Sequence, residues 1–180
     1  MRGPDYPSWV WLPLTAIVAP AYATDYLTAD EAARVLFPDA DSYTMMTLQL
    51  SDAERDEIKS LSGTRQRWKM QDVWRAERDG EPAGWMIVDE VVGKHEYITY
   101  ATAISPDGHV LGIEVLSYRE THGGEIRRSE WRQNLVGKTL DDELTLGDDI
   151  PNISGATLSC RNVTDGVKRL LALYEVVLAQ

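Results

Sequence analysis

Tyr97-Ile98-Thr99-Tyr100-Ala101-Thr102-Ala103-Ile104, then Ser105-Pro106-Asp107-Gly108-His109, then Val110-Leu111-Gly112-Ile113-Glu114-Val115-Leu116-Ser117-Tyr118: two runs rich in β-branched and aromatic residues meet across a Pro-Asp-Gly turn. Such runs suit pleated strands, and Pro-Asp-Gly fits a tight reversal between antiparallel neighbours. Working outward, Arg67 to Arg78 and Gly84 to Val92 read as two further strands, with Asp79-Gly80 as the turn signal between them. Upstream the period changes. Thr28-Ala29-Asp30-Glu31 has the form of a capping box and opens a short helix that stops before Pro38. Ser51-Asp52-Ala53-Glu54 repeats the pattern and opens a helix to about Leu61, with Gly63 as its terminator. At the far end Cys160, Val163, Val167, Leu170, Leu171, Tyr174 and Leu178 recur at helical three- and four-residue spacing. Strands joined by short turns and flanked by helices predict an α+β fold, a single domain with an antiparallel sheet flanked by helices.

The chemistry-bearing stretch lies where an acidic, irregular segment meets that last helix. Gly147-Asp148-Asp149-Ile150-Pro151-Asn152 is a cluster of turn formers, and Ser154-Gly155-Ala156-Thr157-Leu158-Ser159 follows it. A hydroxyl-rich turn with a glycine is thereby placed at a helix N-terminus. Free backbone N–H groups and the positive end of the helix dipole favour an anion there, such as a phosphate. Ser154 or Thr157 is expected to cap the helix, and Gly155 lets the backbone bend around a ligand.

Ser-Gly-Ala-Thr followed by an aliphatic residue and Ser resembles the attachment motif of the FMN-binding domain family, which includes the flavin-carrying subunits of the Rnf complex and of the sodium-translocating NADH:quinone reductase. A second stretch strengthens the resemblance. Val115 to Ile126, containing Glu120-Thr121-His122-Gly123, is similar to the family's strand and following Glu-Thr-x-Gly turn. Ser129 to Lys138 is similar to its short helix closing on Gly-Lys. Two motifs in family order, covering the chain from about Gly84 onward, are a more specific signal than either alone. The resemblance implies that Thr157 carries FMN through a phosphoester bond, installed by a separate flavin transferase that uses FAD. Ser154, Gly155, Ala156 and Leu158 complete the cofactor-binding motif. It further implies that Glu120 and Thr121 approach the cofactor; the alternative for both is a solvated turn. Trp131 offers a flat apolar face to the isoalloxazine, against the alternative of a core aromatic beside a sheet. One position departs from the family pattern: an acidic residue usually stands three places before the motif Ser, and here that place is Pro151. Asp148 and Asp149 lie slightly earlier.

Composition bounds what else the chain does. Its 180 residues suit one domain, and a formal charge of −11 argues against nucleic acid or an anionic membrane surface as the main partner. A single cysteine, Cys160, excludes an intramolecular disulfide and a multi-cysteine metal site. His95, His109 and His122 are scattered, with no metal-ligand spacing. At the N-terminus, Trp9 to Val18 is apolar and Ala21-Tyr22-Ala23 fits a small-x-small cleavage site. Residues 1–23 therefore read as a signal peptide and 24–180 as the FMN-binding domain, exported to a bacterial periplasm.

The expected function is an exported FMN-binding electron-transfer protein. The protein positions and tunes the flavin, and exchanges electrons with a membrane-bound or periplasmic redox partner. A module that keeps the fold without covalent cofactor, acting as a binding or structural partner, is the alternative, and Pro151 favours it. A flavin-dependent reductase with its own small substrate ranks last, because no acid/base pair stands out.

Overall fold

The computed structural model describes residues 24–120 and 124–179. The expected signal peptide, and Thr121 to Gly123 of the Glu-Thr-x-Gly turn, lie outside them. The elements run β1 (Thr24–Asp25), α1 (Ala29–Leu36), β2 (Ser42–Gln49), α2 (Asp52–Ser62), β3 (Met70–Arg78), β4 (Glu81–Val92), β5 (Tyr97–Ile104), β6 (Val110–Tyr118), α3 (Ser129–Arg132) and α4 (Thr157–Leu173). Single 3-10 turns precede and follow α3, at Gly124–Arg127 and Gln133–Leu135, and a π turn, Tyr174–Leu178, ends α4. The described fold is α+β with an antiparallel sheet, as the sequence predicts.

The sheet has six strands in the order β1-β6-β5-β4-β3-β2, every pairing antiparallel. Strands β3 to β6 follow one another as hairpins. The β3–β4 reversal is made by Asp79 and Gly80, both at positive φ (55° and 82°), the arrangement whose twist matches the flanking strands. Two strands, β1 and β2, carry no strong sequence signal. β1 is two residues held by Tyr118 and Ser117. β2 is a half-exposed edge strand, Ser-Tyr-Thr-Met-Met-Thr-Leu-Gln, whose register is supplied by β3. Residues 67–69, expected in a strand, precede the ladder, and β4 starts at Glu81, earlier than expected. Gly84 lies within β4 at φ 147°, where a Cβ would come within 2.8 Å of the Phe37 ring. The register shift after Ala76 adjoins this point, so a close approach of α1 and a bulge occur together.

Both predicted capping boxes form. Thr28 accepts the Glu31 N–H while Glu31 accepts the Thr28 N–H, and Ser51 and Glu54 do the same for α2. Gly63 ends α2 at φ 73°, the left-handed C-cap that glycine adopts without a Cβ penalty. The two helices serve different faces of the sheet. Ala32, Ala33 and Phe37 bury against Trp74, Ala76, Met86, Ala101, Ala103 and Leu116. The small residues at 76, 101 and 103 leave room for α1 to lie close. On the opposite face α4 sets Val163, Val167, Leu170 and Leu171 into the larger core with Val73, Ile87, Ile98, Tyr100 and Ile113. α2 packs beside α4 and contributes the fully buried Ile58.

One buried polar group ties α4 to the sheet. The Tyr100 hydroxyl donates to Asp89 Oδ2 at 2.6 Å, and the Arg169 guanidinium pairs with the same oxygen. All three side chains are buried. Desolvation, reinforced by the Asp89 charge, pushes the Tyr100 hydroxyl well above its ordinary pKa, so it stays a neutral donor. This fixes the angular setting of α4 and hence where its N-terminus emerges.

Candidate functional site

The site is assembled from three segments that meet at the start of α4. The first is the end of β6. The Tyr118 hydroxyl lies 3.4 Å from Ser159 Oγ, joining β6 to the first turn of α4. The second is α3 with its flanking turns. Arg132 pairs with Glu114 and donates to the Ile113 carbonyl, while Gly137, at φ 79°, donates to the Val110 carbonyl at 2.7 Å. The short helix that the sequence closes on Gly-Lys is thus stitched to β6. The third is the segment from Thr139 to Ala156, which reaches α4. Asp149 orders its first half: its carboxylate accepts from the Leu144 N–H at 3.1 Å, the Thr145 N–H at 2.6 Å and Lys138 Nζ at 3.0 Å.

The α4 N-terminus itself is the notable feature. Neither Ser154 nor Thr157 caps it, contrary to the sequence expectation. The N-cap residue is Ala156, at φ −120° and ψ 14°, with no side-chain hydrogen bond. Ser154 precedes the N-cap by two residues, with Gly155 at φ 84° between them, and Thr157 is already inside the helix as its first residue. The first bond made by the helix is Cys160 N–H to Ala156 O, at 2.9 Å. The amides of Thr157, Leu158 and Ser159 therefore have no acceptor within the helix. No acidic residue stands in this first turn, whereas α1 and α2 each have a full capping box and acidic first turns. Side-chain caps thus close α1 and α2, whereas α3 and the longest helix, α4, have none.

Around this opening, Ser154, Gly155 and Leu158 are exposed, Thr157 is half-buried and Ala156 is buried. A Cβ at Gly155 would meet nothing within 4 Å, so glycine is required here for its positive φ and not by crowding. Pro151 is exposed, and its carbonyl accepts the Trp131 indole N–H at 2.8 Å. Trp131 is 4% exposed, so its ring faces are enclosed in the core. Cys160 is buried on the inner face of α4, and burial pushes its thiol pKa up.

Glu120 stands just beyond β6. Its carboxylate accepts the backbone N–H groups of His95 and of Glu96, the latter at 3.0 Å, and so caps the β4–β5 reversal. Partial desolvation raises the Glu120 pKa, but backbone donors at Glu96, His95 and Lys94 outweigh it and hold the carboxyl below its usual range. A Cβ at Gly93 would come within 2.7 Å of this carboxylate, which explains the glycine at that position. Thr121 lies outside the described residues. Beyond them the chain resumes at Gly124, on the wall of an open cavity of about 540 Å³ that Tyr26, Leu27, Glu114, Arg127 and Arg128 also line. Arg127 stands 4.2 Å over the Tyr26 ring in this cavity.

Residues 93–172 match the model of the FMN-binding domain. The chain carries an FMN-binding domain. The matched segment starts at the β4–β5 reversal and ends in α4, so it contains β5, β6, α3 and the open helix terminus. Its cofactor is FMN. The G component of the Na(+)-translocating ferredoxin:NAD(+) oxidoreductase complex of Acetobacterium woodii is 25% identical over 130 residues, covering 67% of this chain and 63% of that protein. The G component of the ion-translocating oxidoreductase complex of Shewanella oneidensis is 33% identical over 88 residues, covering 43% of this chain and 42% of that protein. The chain thus spans less than two thirds of the length of these relatives. Among solved structures, NqrC of Shewanella oneidensis superposes with a TM-score of 0.55 at 18% identity, covering 79% of this chain and 87% of that one. The C component of the Na(+)-translocating NADH-quinone reductase of Parabacteroides distasonis gives 0.53 at 15% identity, covering 86% and 85%. These likenesses establish a shared fold.

The residues at the α4 terminus suit the phosphate end of FMN. An anion there meets amides that have no acceptor within the helix and a helix dipole that no carboxylate of the first turn offsets. The sequence located this terminus and missed the openness of its cap.

Proposed function

We propose that this protein is an electron carrier whose FMN is joined through its phosphate to Thr157. The open α4 terminus, with Thr157 as its first residue, carries this reading. A phosphodiester on Thr157 Oγ keeps one negative charge, and the N-terminus of a helix favours an anion. The attachment would be made by a flavin transferase using FAD. The Thr157 Oγ–phosphorus bond forms, the pyrophosphate bond of FAD breaks, AMP leaves and the hydroxyl proton is released. Ser154, Gly155 and Leu158 present an exposed surface to such an enzyme, and Tyr118 and Ser159 hold the helix behind it. FMN accepts and returns one or two electrons. In this chain the residues' task is to hold the phosphate, shape the loop and limit water around the attached group.

The relatives from Acetobacterium woodii and Shewanella oneidensis are subunits of ion-translocating oxidoreductase complexes. We therefore extend the proposal to a membrane-bound or periplasmic redox partner, with the protein exported to the periplasm. Among the described residues no helix is long and apolar enough to cross a membrane.

Intact-protein mass spectrometry of the chain co-expressed with a flavin transferase tests the attachment. The expected result is a mass gain of one FMN less one water in the wild type, absent from Thr157→Ala. The second reading, a module that keeps the fold without covalent cofactor, is favoured by Pro151 in place of the usual acid. Asp149, slightly earlier in the chain, is engaged by Lys138, Leu144 and Thr145. An unmodified wild type would support this second reading.

A further inference from the structure

We propose that Trp131 is a positioning residue for the attachment loop: its indole N–H fixes the Pro151 carbonyl and thereby sets where Thr157 is presented. The proposal rests on the covalent reading of Thr157. Between the 3-10 turn ending at Leu135 and the start of α4, the chain contains no helix or regular strand, only a bridge between Leu146 and Ile150. A stretch of that length without regular structure needs specific ties to hold one conformation. Its first half has them in Asp149 and Lys138. Its second half, which delivers Thr157, is tied at Pro151 by Trp131 and turned by the Ala156 N–H to Ile153 O bond at 3.0 Å.

Pro151 has no N–H, so its carbonyl is the polar group by which its backbone can be held. The donor that takes it is itself immobile. Trp131 shares the main core with Leu135, Ile150 and Ala156, all buried, and an indole N–H enclosed there requires an acceptor. The bond reads backbone and not side chain, so it is indifferent to the residue at 151. The acid that this chain lacks at that position is therefore not needed for the loop to be held. On the far side of Thr157, the Tyr118–Ser159 contact performs the matching task. Thr157 thus sits between one tie to α3 and one to β6.

The test compares Trp131→Phe, which keeps an apolar ring and deletes the donor, with Val73→Ala, which opens the same core at β3 and leaves the bond intact. Amide hydrogen exchange at Asn152 to Ala156 is measured in the unmodified protein, and the rate of flavin loading is measured at fixed FAD and transferase, beside the melting temperature. Loss of one hydrogen bond of this kind corresponds to a change of roughly tenfold. The expected result is about tenfold faster exchange of these loop amides and slower loading in Trp131→Phe. In Val73→Ala the melting temperature falls while loop exchange and loading stay at wild-type values. Unchanged loop exchange in Trp131→Phe overturns the proposal, and so does an equal loss of loading in both variants. If the wild type takes no flavin, the covalent reading fails, and the exchange data alone decide whether Trp131 holds the loop.

Discussion

The Tyr100 hydroxyl lies directly beneath Gly166, so close that a Cβ built on the glycine would overlap it. The hydroxyl has no freedom to retreat, because Asp89 accepts its proton at 2.6 Å and the Arg169 guanidinium pairs with the same carboxylate oxygen. An exposed helical glycine is ordinarily a weak point, about 1 kcal/mol less favourable than alanine. Here packing reverses that preference. Gly166→Ala is expected to destabilise the fold by about 1–3 kcal/mol, the usual cost of overpacking. Adding Tyr100→Phe should relieve part of the loss, and a double-mutant cycle by chemical denaturation checks the coupling.

Asp89→Ala removes the only described carboxylate partner of a buried guanidinium. The cost expected for stranding such a charge is about 3–5 kcal/mol, far above that of an exposed pair. Equilibrium unfolding in urea measures it. A loss below about 1 kcal/mol would mean that Arg169 finds water instead.

Opening the α4 terminus to an anion has a converse. Leu158 is 44% exposed in the first turn of α4, and a carboxylate there interacts favourably with the helix dipole. Leu158→Glu is expected to raise the stability of the unmodified protein by about 0.3–1 kcal/mol. The same charge repels a phosphodiester on the adjacent Thr157, so flavin loading should fall. Thermal melts and intact mass, measured on one preparation, check both signs.

The loop ordered by Asp149 carries its own pH dependence. Partial desolvation raises the Asp149 pKa, but Lys138 and the N–H groups of Thr145 and Leu144 outweigh it and leave the carboxyl below its usual range. The Thr139 N–H does the same for Asp142, with help from Lys138. Carboxylates depressed in the folded state stabilise it above their unfolded pKa, near 4, and that contribution is lost as pH falls through the folded values. Asp149 in turn raises the Lys138 pKa. Its contribution is present below an unfolded value of about 10.4 and is lost as pH rises through the higher folded one. Amide protection at Leu144 and Thr145 is therefore expected to be flat between about pH 5 and 9 and to fall below about pH 4. In Lys138→Met the acid limb should move to higher pH. These side chains are half-buried at the surface and partly screened by solvent, so the loss is expected to be local and the global melting temperature should barely move.

The local rules were legible in the chain. Thr28/Glu31 and Ser51/Glu54 announced two capped helices, Gly63 ended one, Asp79-Gly80 reversed a hairpin, and a three- and four-residue apolar period wrote α4. Each depends on neighbours within about one helical turn or one hairpin loop, so sequence order suffices. The Ser-Gly-Ala-Thr stretch and the segment around Trp131 were legible as well, as separate motifs. What the sequence could not supply was their junction. That the Trp131 indole meets the Pro151 carbonyl, that Tyr118 meets Ser159, and that Glu120 caps the β4–β5 reversal all depend on contacts between residues far apart in the chain. The same holds for β1 and β2, whose pairing partners, and not their own residues, make them strands. The open terminus of α4 belongs to tertiary structure too. Side-chain identity at Ser154 and Thr157 suggested a cap, but Ala156 takes the N-cap, two residues after Ser154 and one before Thr157. Sequence by itself determined the capped helices, the hairpins and the chemistry available; three-dimensional packing decided the edge strands and placed Thr157 at the start of α4.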